Sequence, residues 1–150
     1  MTRITGGCQC GAVRYALHSV PTGASLCHCR MCQKATGGLF LAAAGVPPAD
    51  FELTRGQPAV YRSSSVSERG FCAGCGTPLT FRYLGSSRIS VSLGSLDDPG
   101  AVPPVEQIGV ESRVAWWRGI EALPEKTTQQ DQPALAVANF QHPDHDTPDD

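Results

Sequence analysis

The chain is poor in charge and holds no long apolar run. Of its 150 residues only 17% are charged, and the net charge of −2 leaves no basic field of the kind nucleic acid selects. No stretch approaches the roughly 18 consecutive apolar residues of a membrane span. Neither nucleic acid nor a membrane is therefore expected as a partner. Residues 1–7, MTRITGG, lack the apolar segment of a secretory leader. A reducing, cytoplasmic setting is the expectation. No internal repeat is present.

What is present is a chain with an ordinary core and many turns. Hydrophobic residues make up 41%, and 16 Gly with 12 Pro argue against long helices. The length suits one domain. Charge is unevenly spread: residues 1–124 carry a balance of +3, and residues 125–150 carry −5. The last stretch, with TTQQDQP and HPDHDTPDD, reads as an acidic, partly disordered tail following a domain of residues 1–124. Within the tail, residues 134–140 are expected to dock back on the domain.

The domain reads as mainly β. Residues 12–17 alternate, with Val13, Tyr15 and Leu17 on one face and Ala12, Arg14 and Ala16 on the other. Further strands are predicted at 39–44, 51–54, 59–63, 79–83 and 88–93, with one or two more in 105–114. Ile89, Val91 and Leu93 point inward. The spacing of about ten residues, with turn signals between, suggests an all-β sandwich or barrel. One short helix is predicted over 30–35, stopped by Gly37 and Gly38.

The seven cysteines need a chemical reason. Their number is odd, and a reducing compartment disfavours disulfides, so metal binding is the stronger reading. They fall in three clusters: Cys8-Gln9-Cys10, Cys27-His28-Cys29-Arg30-Met31-Cys32, and Cys72-Ala73-Gly74-Cys75. A C-x-x-C turn followed by glycine points two sulfurs the same way, and two such pairs complete a tetrahedral zinc site. Cys8, Cys10, Cys72 and Cys75 would then form a closed structural centre. Cys27, Cys29 and Cys32 would hold a second zinc with one position open, the mark of a ligand-accepting site. Other readings are a closed triplet site completed by His28, His18, His142 or His145, a redox-sensitive triplet, and cysteines buried as small apolar residues.

These residues look familiar. Residues 6–15 (GGCQCGAVRY), 27–34 (CHCRMCQK) and 69–79 (RGFCAGCGTPL) resemble the three motifs of the glutathione-dependent formaldehyde-activating enzyme family, which includes centromere protein V. Residues 112–116 (SRVAW) and Leu123-Pro124 are similar to its close. The resemblance spans residues 4–124. It implies a β-tent of antiparallel sheets, two zinc ions divided as above, and addition of glutathione to formaldehyde, formally a carbon–sulfur lyase activity. Gln107 stands before Ile108 where many members carry His, and the acidic tail lies outside the pattern.

The expected site follows from both arguments. Cys27, Cys29 and Cys32 would carry the chemistry, with His28 as proton shuttle. Arg30 and Lys34, four apart on a helix face, would hold glutathione carboxylates, and Gln33 would stand nearby. Glu68 and Arg69 are read as structural. On a strand, the adjoining Trp116 and Trp117 would face opposite ways, one into the core and the other lining a pocket or a subunit contact. The partners would be a small thiol and an aldehyde. The competing reading is a non-enzymatic zinc-binding or interaction module on the same scaffold.

Overall fold

Alternation of apolar and polar residues gives a strand two unlike faces, and this chain buries one face of each of two sheets against the other. A computed structural model describes residues 3–132, 134 and 136–148. A three-stranded sheet has the order β1 (Ile4–Gly7), β2 (Arg14–Leu17) and β5 (Phe51–Arg55), all antiparallel. The larger sheet has seven strands. From one edge they are β10 (Glu106–Ile108), β3 (Thr22–Cys27), β4 (Leu41–Val46), β9 (Ile89–Ser92), β8 (Pro78–Tyr83), β7 (Ser67–Phe71) and β6 (Ala59–Ser64). Only the β10–β3 pair is parallel. The core lies between the sheets: Val13, Tyr15 and Leu17 meet Ala24, Ala44, Val46, Leu79 and Val91. Alternate residues of the large sheet, among them Ser25, Cys27, Leu41, Ala43 and Ser90, line a cavity away from that core.

The mainly β expectation holds, and so do the strands at β2, β4, β5, β6, β8 and β9 within a few residues. Helix α1 (Arg30–Thr36) is also where the sequence places it. It ends on Gly37 at φ 68°, whose N–H donates to Gln33 O. Three strands escape the pattern. β1 (ITGG) and β3 (TGASLC) are small-residue segments, and β7 (SERGF) carries two charges and a glycine. Segment 105–114 holds one three-residue strand followed by a 3-10 turn. Trp116 and Trp117 lie in a 3-10 helix, Ala115–Ala122, not on a strand. Leu93 is buried, but it opens a 3-10 turn beyond the end of β9.

Arg14 corrects the simple alternation most sharply. It belongs to the outward set by period, yet it is 4% exposed. Its guanidinium forks onto Asp97, at 2.7 and 2.6 Å, and reaches Asp146 at 3.0 Å. Thr5 Oγ1 donates to the same Asp97 carboxylate at 2.5 Å. A buried charge is tolerable only with such pairing.

The segment after 124 begins with a short helix, α2 (Thr128–Asp131), closed by a capping box between Thr127 and Gln130. Within 134–140, Leu135 lies outside the described residues, and Val137 and Phe140 are exposed. Contact with the domain comes later. His142 N donates to Gln9 O at 2.7 Å, Asp146 meets Arg14 and Arg3, and Arg55 donates to Thr147 O at 2.7 Å. Among the described residues no helix is long and apolar enough to cross a membrane.

The Arg14–Asp97 pair makes a stability prediction. Burial works against ionising Asp97, but the hydrogen bonds from Arg14 and Thr5 outweigh it and hold its pKa below the ordinary range. A carboxylate depressed in the folded state adds stability above its unfolded pKa, about 3.9, and loses it as pH falls through the lower folded value. Asp97→Asn should cost about 3 kcal/mol at neutral pH by urea unfolding. The gap to wild type should close as pH drops below about 3.9.

Candidate metal centre and its cavity

Both turns of the first cluster leave strand ends. Cys8 follows β1 and Cys10 precedes β2, whereas Cys72 follows β7 and Cys75 precedes β8. Gly76 at φ 80° closes the second turn, its N–H on Cys72 O at 2.8 Å. A side chain there would be strained. The four sulfurs lie within 4.8 Å of one another, with Cys8–Cys10 at 3.6 Å and Cys10–Cys72 at 3.8 Å. Four metal–sulfur bonds of about 2.3 Å in a tetrahedron put neighbouring sulfurs about 3.8 Å apart. The donor set and its spacing therefore fit zinc. All seven cysteines are free thiols.

The protein holds these sulfurs through their surroundings as well. Val13 N–H donates to Cys8 Sγ at 3.2 Å, and Gln9 N–H donates to Thr77 Oγ1 at 3.0 Å. Burial pushes the Cys8 thiol up to about 12. At Cys75 burial also opposes ionisation, but hydrogen bonds from Thr77 and from Cys10 N–H bring it down to about 6. A divalent cation removes the remaining protons, because thiolate is the ligating form.

The second cluster is built around the start of α1. Cys27 ends β3, Cys29 is the residue that caps α1, and Cys32 lies one turn in. Cys29 Sγ accepts from Cys32 N–H at 3.4 Å. Burial raises its pKa, but this bond and neighbouring donors more than offset that, and the net shift is downward. Burial pushes Cys27 up to about 12. The three sulfurs lie within 4.8 Å of one another. Among the described residues no histidine, aspartate or glutamate joins them. Gly109 passes so close that a Cβ there would lie 2.7 Å from Cys29 N.

The three sulfurs stand on the wall of a cavity of about 530 Å³. Its apolar walls include Leu41, Val66, Phe81 and Ile108, and Ser25, Ser67 and Ser90 supply hydroxyls. Arg69 lines it too and is 6% exposed. Its Nη2 donates to Cys32 Sγ at 3.4 Å, its Nε donates to Ser63 Oγ at 2.9 Å, and its guanidinium carbon lies 4.8 Å from the centre of the Phe81 ring. The sequence reading of Arg69 as a structural neighbour of the knuckle missed this. The signal was a cation two residues before Phe71-Cys72. Only the pairing of β7 with β8 shows that it faces the other cluster. Glu68, one residue earlier, pairs with Arg82 at 2.5 Å.

The remaining predicted site residues are not on the cavity wall. His28 is fully buried, with its ring edge-on to Trp117 at 5.1 Å and near Phe40 at 5.7 Å. Gln107 Oε1 accepts from Arg113 Nη1 at 3.2 Å and from His28 Nε2 at 2.9 Å. Among the described residues His28 Nδ1 has no hydrogen-bond partner. Gln33 is buried and donates to His28 O at 2.8 Å and Ser112 O at 3.0 Å, tying α1 to the 110–112 turn. Arg30 and Lys34 are exposed, and Arg30 donates to Gln33 Oε1.

Comparisons with known proteins identify the family and the fold. The family model described as glutathione-dependent formaldehyde-activating enzyme matches residues 3–112, and the chain belongs to that family. It is 33% identical over 91 residues to a Schizosaccharomyces pombe (strain 972 / ATCC 24843) protein described as an uncharacterized lyase. That match takes in 55% of this chain and 60% of the relative's length. A crystal structure of a Rhodobacter sphaeroides protein superposes with a TM-score of 0.56 at 22% identity, covering 69% of this chain and 98% of the other. The two share a fold.

The two clusters should differ in what their loss does. Cys75→Ser should sharply reduce folded, soluble protein, since a structural zinc of this kind is worth about 10–16 kcal/mol of apparent binding free energy. Cys29→Ser should keep the wild-type circular dichroism while metal analysis finds one equivalent fewer.

Proposed function

We propose that this chain is a zinc-dependent lyase that joins a thiol to an aldehyde and reverses the step, with glutathione and formaldehyde as the pair its family suggests. The observation that carries the reading is a three-sulfur centre opening onto a cavity of about 530 Å³, while a four-sulfur centre stands apart between strand ends. One zinc would be held by Cys8, Cys10, Cys72 and Cys75, and a second by Cys27, Cys29 and Cys32. Bound at the triplet, zinc supplies Lewis acidity and favours the thiolate form of an incoming thiol.

In the net reaction a carbon–sulfur bond forms between thiol and aldehyde carbon, and the sulfur's proton ends on the former carbonyl oxygen. The chain's own residues contribute orientation. Leu41, Val66 and Phe81 give the wall apolar surface against which the reactants would lie, and fixing two reactants together substitutes for their lost translational freedom. Ser25, Ser67 and Ser90 offer hydroxyls on the wall that would relay the proton, each giving up its own as it accepts one. His28 holds the chain between Cys27 and Cys29 through Gln107 and Trp117, so its role in this scheme is to fix the ligands' geometry. Arg30 and Lys34, exposed on α1, would meet carboxylates that project beyond the cavity.

Thiols and formaldehyde also combine without a catalyst, so the test must read a rate above background. Exchange NMR with labelled formaldehyde and glutathione should show faster interconversion of free and adduct carbon with wild type. Cys29→Ser should return it to the uncatalysed rate. Two equally chelator-resistant metals and no acceleration for any thiol would point instead to a zinc-held interaction module.

A further inference from the structure

Arg69 poses an electrostatic problem that its immediate contacts do not solve with a carboxylate. It is 6% exposed, and among the described residues it makes no ion pair with aspartate or glutamate. A buried guanidinium needs a negative partner. Its contacts are the Ser63 hydroxyl, the Phe81 ring and the sulfur of Cys32. Only the sulfur can carry charge. Among the described residues Arg69 is also the one Lys, Arg, Asp or Glu on the walls of both the 530 Å³ cavity and a neighbouring one of about 380 Å³. Two of its nitrogens are engaged, and Nη1 has no hydrogen-bond partner among the described residues.

We propose that Arg69 is the anion-recognising residue of the three-sulfur centre, favouring a negatively charged sulfur over a neutral ligand from outside the chain. The inference rests on the metal-binding reading above. Three thiolates around a divalent ion carry a net charge of −1, and an incoming thiolate would make it −2. A guanidinium carries its charge across the working pH range and is fixed here on one of the ligands. It offsets that accumulation for an anionic sulfur and gives a neutral donor no such advantage. Arg69 acts through Cys32 and is therefore a positioning residue, unlike the sulfurs themselves. Ser63 and Phe81 hold its plane, which a lysine's point charge would not need.

The full chain loaded with cobalt(II) allows a test by absorption. Wild type, Arg69→Gln, Arg69→Lys and Ser63→Ala are titrated with 2-mercaptoethanol, 3-mercaptopropionate and imidazole. The four-sulfur centre's spectrum reports folding in each variant. Arg69→Gln should weaken 2-mercaptoethanol about 10–100-fold, the range for losing an outer partner of a metal ligand, and leave imidazole unchanged. Arg69→Lys should restore most of the affinity, and Ser63→Ala should lose part of it. Should Arg69→Gln not fold, the selective loss in Ser63→Ala decides. Equal weakening of thiol and imidazole, or no change in any variant, would overturn the assignment. A loss confined to 3-mercaptopropionate would also overturn it and give Arg69 to a carboxylate. A wild-type spectrum blind to every thiol would sink the proposed function with it.

Discussion

Four sulfur atoms from two turns more than sixty residues apart must arrive within 4.8 Å of one another, and much of the architecture follows from that meeting. Cys8 and Cys10 sit between the first two strands of the small sheet, and Cys72 and Cys75 sit between two strands of the large one. Joining them closes the sandwich at one end. Cys8 and Cys72 also belong to the apolar core, so the cluster and the core are one packed unit. Burial pushes the Cys8 thiol up and hydrogen bonds bring Cys75 down, so Cys75 ionises first and a cation would displace the proton that Cys8 keeps.

With that end tied, the large sheet is free to use its other face. The second cluster forms where β3 runs into α1, and its sulfurs open on a cavity rather than on further ligands. One set of supporting contacts lies on the far side of the ligand chain: His28 against Trp117 and Phe40, Gln33 on the carbonyls of His28 and Ser112, and Gln107 between His28 and Arg113. Such partners set ligand orientation without touching the ligand-accepting side. On the cavity side, among the described residues, the one fixed charge is Arg69. Under the proposed function a closed centre would serve folding and an open one chemistry, a division that the same residue type can serve because coordination number distinguishes the two.

Much of this was legible before any coordinates. The spacing of the cysteines marked both clusters, and hydrophobic alternation marked most strands and the mainly β class. What alternation could not mark was β1, β3 and β7, where glycine, serine and charge replace the branched residues that identify a strand. Those strands exist because their neighbours pair with them. Trp116-Trp117 reads as strand by composition but winds into a 3-10 helix, and Trp117 thereby reaches His28. Arg14 reads as outward by period and is drawn in by Asp97.

The amino-acid order by itself determined the chemistry of the ligands, the C-x-C and C-x-x-C spacings within each cluster, the start and stop of α1, and the family. Each of these is local, set by spacings of a few residues and by the intrinsic preferences of cysteine, glycine and branched side chains. Tertiary structure alone decided which groups face the open sulfurs. Arg69 and Cys32 are thirty-seven positions apart in sequence, and only the order of strands across the large sheet brings them to 3.4 Å. The same order aims Arg69 into the cavity, because sheet pairing assigns each strand side chain to one face, while His28, just past the end of β3, packs against Trp117 and Phe40 instead.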